Sequence, residues 1–226
     1  MIKYILFDLD GTILDFNMGE KDAFIKTINN FFSYKVKEED IKKFSELNEY
    51  YFNEYKNKKM ERKEFHFNRF NEILKYLGLK YDPVELNKYY VETLKYEAII
   101  YDDVKEILDY LSNKYQLFIA SNGMIEVQNK RLEISGLKNY FKKIYVSEDI
   151  GFNKPDIEFF NYIFNDLNDF NKDNYIIIGD RLDSDILGAI NSNIHNIYVN
   201  RFNINDSNIK PEYEVKNLLK IKDILK

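Results

Sequence analysis

The sequence predicts an α/β fold: a doubly wound parallel sheet interrupted by an inserted all-helical segment. Three observations carry this. Short apolar runs rich in Ile, Val, Tyr and Phe stop abruptly at polar or glycine-containing turns, segments with helical spacing lie between them, and one long stretch near the N-terminus shows helical spacing alone.

In chain order, Tyr4 to Phe7, Leu117 to Ala120, Ile144 to Val146, Tyr175 to Ile178 and Ile197 to Val199 read as strands. They are nearly continuous in apolar character, as parallel strands covered on both faces require. Val104, Ile107, Leu108 and Leu111 mark one intervening helix, and Ile186 with Ile190 another. Between about residues 16 and 96 only helical patterns occur, among them Phe24, Ile28, Phe31 and Phe32, then Phe70, Ile73, Leu74 and Leu77. Gly78 and Asp82-Pro83 are expected to punctuate the last helices of this insert. The expected domains are therefore residues 1–15 with 97–226 as the α/β core, and 16–96 as a helical unit. Its many aromatics, at helical spacing, read as packing between helices.

Composition narrows the function. The 226 residues are 45% hydrophobic and 31% charged, enough for one large domain or two modest ones with a real core. There is no cysteine, which excludes disulfides, thiolate nucleophiles and sulfur-held zinc and fits a reducing compartment. A net charge of -5 argues against binding a nucleic-acid polymer, and Lys56-Asn57-Lys58-Lys59 reads as solvated surface. The first apolar run stops at Asp8, too short for a signal peptide, and no segment suits a bilayer. A cytoplasmic monomer or small homo-oligomer with no membrane partner is expected.

The most informative run is Phe7-Asp8-Leu9-Asp10-Gly11-Thr12, where a buried strand releases two carboxylates, a glycine and a hydroxyl into one turn. Alternation sends Asp8 and Asp10 the same way. Two such charges about 4 Å apart repel by a few kcal/mol near a protein surface, so a proton, a lysine or a cation must offset them. In open α/β sheets ligands sit beyond the carboxyl ends of the strands. The other strand ends deliver Ser121-Asn122-Gly123, Lys154-Pro155 and Gly179-Asp180, with Asp183 and Asp185 close behind. Oxygen ligands such as Asp8, Asp10 and Asp180 suit Mg²⁺ and a substrate phosphate. Lys154 and Ser121 could hold phosphate oxygens, and aspartates are known nucleophiles in phosphoryl transfer.

Asp8-Leu9-Asp10-Gly11-Thr12, Ser121-Asn122-Gly123, Lys154-Pro155-Asp156 and Gly179-Asp180 through Asp185 resemble the four ordered motifs of the haloacid dehalogenase superfamily. The resemblance implies a Rossmann-like core with a helical cap that chooses small substrates. It implies a Mg²⁺-dependent phosphatase in which Asp8 is nucleophile and metal ligand. Asp10 would be the general acid and later base, its main-chain carbonyl on the metal. Thr12 would fix the turn and the phosphate; Ser121 and the Asn122 and Gly123 backbone would receive phosphate oxygens. Lys154 would join phosphate to Asp8, Asp180 would be a further ligand, and Asp185 a supporting ligand or an acid behind the ligands. Asp183 reads as an exposed or helix-capping acid, and His66 and His195 as surface or packing residues.

Asp10 favours a phosphatase over a dehalogenase, since the dehalogenases of the family lack an acid there. Gln128, Arg131, Leu132, Ser135-Gly136-Leu137, Tyr140-Phe141 and Ser147-Glu148-Asp149-Ile150-Gly151 add a resemblance to a bacterial subgroup of pyrimidine 5′-nucleotidases. That implies nucleoside monophosphates as substrates. A phosphatase for sugar phosphates or phosphoglycolate, and a non-catalytic binding protein on the same scaffold, are the alternatives.

Overall fold

The computed structural model describes residues 1–204 and 208–226. Its contacts divide the chain into two compact units, residues 1–16 with 98–226, and residues 17–97.

In the first unit, strands β1 (Tyr4–Phe7), β2 (Gln116–Ser121), β3 (Phe141–Val146), β4 (Tyr175–Gly179), β5 (His195–Val199) and β6 (Tyr213–Val215) form one sheet. Their order is β3-β2-β1-β4-β5-β6, and every neighbouring pair is parallel. Strand order reverses beside β1, the place where an open α/β sheet leaves a crevice at its carboxyl edge.

The α-helices among the described residues are, in chain order, α1 (Phe16–Phe31), α2 (Glu38–Lys56), α3 (Arg62–Leu77), α4 (Pro83–Leu94), α5 (Val104–Ser112), α6 (Ile125–Ile134), α7 (Ser147–Ile150), α8 (Ile157–Leu167), α9 (Leu187–Ser192) and α10 (Ile221–Ile224). Strand alternation splits the core in two. Ile5, Phe7, Ile119 and Ile178 pack with Ile107, Leu108 and Leu111 of α5 and Leu132 of α6. Leu6, Phe118, Ala120 and Ile177 pack on the other face with Phe159, Phe160, Ile163 and Phe164 of α8. Each of these buried side chains other than Ala120 contributes roughly 1.5–3 kcal/mol, so both faces are firmly closed and only the strand ends are left open for chemistry.

Three strands depart from expectation; one of them, β5, starts at His195, before its apolar run. β3 starts at Phe141, before the apolar run, because Lys142 and Lys143 stand exposed on an edge strand; charged edges of this kind deter further strand pairing. β6 carries one buried residue, Val215, among exposed neighbours, so no apolar run announces it. Ile190 is 47% exposed, against the helical pattern drawn from it. A π turn over Leu182–Ile186 rotates the helix that follows, so Gly188, Ala189 and Ser192 form its buried face instead.

In the second unit, aromatics at helical spacing form the interior. Phe24 and Phe44 stack with centroids 4.3 Å apart, and Phe44 meets Phe70 and Tyr90 at 5.3 Å. Arg69 is buried between the Phe65 and Tyr90 rings, donating to Asn48 Oδ1 and Asn87 Oδ1 at 2.6 Å each. Buried Glu20 accepts from Asn48 Nδ2 and Ser45 Oγ, each at 2.5 Å. Gly78 closes α3 with φ +68° and Asp82 caps α4 by accepting from Val84 N at 2.8 Å, as their positions predict.

Candidate active site

Register puts the chemistry together. Phe7 lies beside Ile119 on one side and Ile178 on the other, so the chain emerges from β1, β2 and β4 at one level. Asp8 N donates to Ile178 O at 2.9 Å, extending the ladder one residue and fixing the carboxylate that follows. Asp8 is buried, and Lys154 Nζ donates to its Oδ1 at 2.7 Å.

Lys154 is fully buried and its Nζ donates to three acceptors: Asp8, Asp185 Oδ1 at 2.6 Å and Ala120 O at 2.5 Å. Burial works against its charge, but Asp185 and Asp8 outweigh it and hold the ammonium above the ordinary lysine range. Asp185 accepts at its other oxygen from Arg181 N at 3.0 Å. Burial raises the Asp8 carboxyl well above its usual range; Lys154 opposes this, while Asp185 and Asp180 add to it. Asp180 is pushed up to about 7 by burial and by Asp185, against the Thr12 hydrogen bond and Arg181.

Two glycines make this crowding sterically feasible. Gly11 has φ +87°, and a Cβ there would sit 2.2 Å from Asp180 Oδ2; a Cβ on Gly179 would sit 2.3 Å from Asp185 Oδ2. Any side chain at either position would displace a carboxylate.

The remaining expected residues fall on the same strand ends. Thr12 is fully buried and its hydroxyl donates to Asp180 Oδ1 at 2.9 Å, so it orients a carboxylate instead of facing outward. Ser121 Oγ accepts from Gly123 N at 3.1 Å and Gln128 Nε2 at 2.9 Å, which leaves its proton to give. Asn122 binds the Lys154 backbone, accepting from N and donating to O at 2.8 Å each. The Asp10 carboxylate stands outside the triad of Asp8, Asp180 and Asp185. It accepts from Gln128 Nε2 at 2.6 Å and from Arg131 Nη1. Asp183 is paired with Arg181 at 3.2 Å, and His195 with Glu212 at 2.8 Å.

Residues outside the expected set also belong here. Gln128 and Arg131 entered the sequence reading only as points of resemblance, because nothing in a helix pattern says which strand-end residue it will meet. Arg201 pairs with Asp103 through two 2.9 Å contacts and donates to Thr12 O at 3.0 Å, bracing the loop after β1. Its partners lie far away in sequence, so spacing carries no trace of it.

Among the described residues, Asp8, Asp180 and Asp185 each offer a carboxylate oxygen, all within 4.8 Å of one another. Lys154 neutralises part of this charge, and Asp180 accepts from the Thr12 hydroxyl. The donor set is all hard oxygen with negative charge in excess, which fits a small divalent cation.

Parallel strands with acidic residues gathered at their carboxyl ends around one buried lysine define an α/β enzyme scaffold with an anion-handling, cation-ready centre. The family model for haloacid dehalogenase-like hydrolases matches residues 5–199, and the chain belongs to that family. HAD-hydrolase YfnB of Bacillus subtilis is 32% identical over 224 residues, covering 99% of this chain and 95% of the relative. Its magnesium-bound crystal structure superposes with a TM-score of 0.94 over 99% of this chain and 98% of that one. Pyrimidine 5′-nucleotidase PynA of Streptococcus pneumoniae is 30% identical over 99% of this chain and 94% of its own. Pyrimidine 5′-nucleotidase YjjG of Escherichia coli is 25% identical over 98% and 97%. Among the described residues no helix is long and apolar enough to cross a membrane.

Proposed function

We propose that the chain is a phosphomonoester hydrolase that works through an aspartyl-phosphate on Asp8 and takes pyrimidine nucleoside 5′-monophosphates as substrates. The observation that carries the mechanism is the buried Asp8 carboxylate held 2.7 Å from Lys154 Nζ beside Asp180 and Asp185. A lone buried carboxylate would be costly; one fixed by an ammonium at a strand end is aimed. The relatives PynA and YjjG support the choice of substrate class.

Asp8, Asp180 and Asp185, with the Asp10 main-chain carbonyl, would hold Mg²⁺, which when bound supplies positive charge where an anionic substrate meets an anionic nucleophile. In the first step an Asp8 oxygen bonds to phosphorus while the ester P–O bond breaks, and Asp10 gives its proton to the departing alcohol oxygen. In the second, Asp10 takes a proton from water as the water oxygen bonds to phosphorus. The P–O bond to Asp8 breaks, and phosphate leaves with Asp8 restored. The Ser121 hydroxyl and the Asn122-Gly123 backbone hold the phosphate oxygens, Lys154 supplies positive charge beside Asp8, and Thr12 keeps Asp180 in place. An acid at Asp10 favours an alcohol leaving group over a halide. The helical unit of residues 17–97 is the substrate-selecting cap in this reading.

The test is phosphate release from a panel of nucleoside monophosphates, sugar phosphates and phosphoglycolate with Mg²⁺, using Asp8→Asn as the blank. Preference for pyrimidine monophosphates is the expected result. Preference for sugars or glycolate overturns the substrate class, and no release from any ester overturns the mechanism.

A further inference from the structure

Arg131 is the largest fully buried side chain among the described residues, and it sits on α6 with its charge directed at Asp10. Burying a guanidinium carries a desolvation cost that an apolar residue of similar size would not incur. Its placement therefore asks for a reason beyond packing.

Helix α6 begins four residues after Ser121, the end of β2, and Ile125 N at its start donates to Glu148 Oε2 at 2.9 Å. Gln128, Arg131 and Leu132 share one face by their spacing. Leu132 enters the core, which anchors the helix, while its two polar neighbours meet Asp10. Arg131 Nη1 donates to Asp10 Oδ1 and also to Gln128 Oε1 at 3.2 Å. Gln128 Nε2 donates to Asp10 Oδ2 at 2.6 Å and to Ser121 Oγ at 2.9 Å. Both carboxylate oxygens of Asp10 are thus held, and the same amide reaches the serine.

Resting on the function proposed above, we propose that Gln128 and Arg131 are positioning residues for the proton-transfer group Asp10. Arg131 fixes the amide of Gln128, whose NH₂ can then face only Asp10 and Ser121.

The consequence is specific to the leaving group. A nucleoside alkoxide needs a proton as it departs, whereas p-nitrophenolate does not. Removing the positioning contacts should therefore cost kcat on dUMP and spare p-nitrophenyl phosphate. Gln128→Ala and Arg131→Lys are compared with wild type on both substrates, with thermal melts to register folding. We expect Gln128→Ala to lose about 10-fold or more in kcat on dUMP and under about threefold on p-nitrophenyl phosphate, with KM little changed. Placed in an Asp10→Asn background, it should add less than about twofold, because the group it positions is already gone. Equal losses on both esters, no loss on dUMP, or a full additional loss in the Asp10→Asn background would overturn the inference. Gln128 carries no charge, so its variant decides the matter even if the Arg131 variant melts early. A wild type that hydrolyses neither ester overturns the hydrolase reading and this inference with it; an active wild type with an unsplit variant overturns this inference alone.

Discussion

Asn122 grips Lys154 by its backbone: its Oδ1 accepts from Lys154 N and its Nδ2 donates to Lys154 O, both at 2.8 Å. The end of β2 is thereby stapled to the loop that carries the lysine, and Lys154 Nζ reaches Asp8 from a fixed base. Asn122→Ala should cost about 1–3 kcal/mol of stability through two unpaired backbone groups. Phosphate release should fall about 10- to 100-fold, the scale on which small misplacements act. Denaturant melts and kcat on one substrate check both; unchanged kcat would show that Lys154 needs no such staple.

Asp8→Asn keeps the shape of the nucleophile and removes its reactivity. Turnover should fall by about 10⁴-fold or more while the melt stays near wild type. Substantial phosphate release by this variant would place the nucleophile elsewhere.

Lys154 separates two buried carboxylates, Asp8 and Asp185. Lys154→Met leaves them facing each other without a cation and should cost about 3–5 kcal/mol, with loss of activity. Adding Asp185→Asn should return part of the stability and none of the turnover. The comparison is made by urea unfolding of the single and double variants.

Chelation should silence phosphate release and added Mg²⁺ restore it, with Ca²⁺ a poor replacement because its larger and looser coordination misplaces the attacking carboxylate. Activity that survives thorough metal removal would contradict the role given to Asp8, Asp180 and Asp185.

His66 on α3 gives a pH prediction for the helical unit. Burial lowers its pKa from 6.5 to about 3, with Arg69 and Arg62 adding to the effect. Above pH 6.5 the imidazole is neutral folded or unfolded and the shift is silent. As pH falls from 6.5 toward 3, only the unfolded chain takes the proton, so stability declines. Between pH 7.5 and pH 5, wild type should lose about 1–2 kcal/mol more than His66→Gln. Parallel losses in the two proteins would mean that His66 titrates normally.

The sheet was legible because Tyr4 to Phe7 and Tyr175 to Ile178 are too continuously apolar to be anything but covered strands. Composition was silent at β6, where Tyr213 and Glu214 are exposed, and at Ile190, where a π turn broke the helical phase. The strand-end rule then brought Asp8, Lys154, Asp180 and Asp185 together from positions far apart, since parallel strands in register must release their next residues at one edge.

What the amino-acid sequence determined by itself was the fold class and the acidic, lysine-bearing edge, because periodicity and strand ends are local properties. Only the tertiary structure decided which partner each group holds. Thr12 turns to Asp180, Asn122 to the Lys154 backbone, and Gln128 and Arg131 to Asp10. Those choices depend on helix placement and side-chain direction across the sheet edge, where a few ångströms decide which donor meets which acceptor and spacing along the chain carries no record of it.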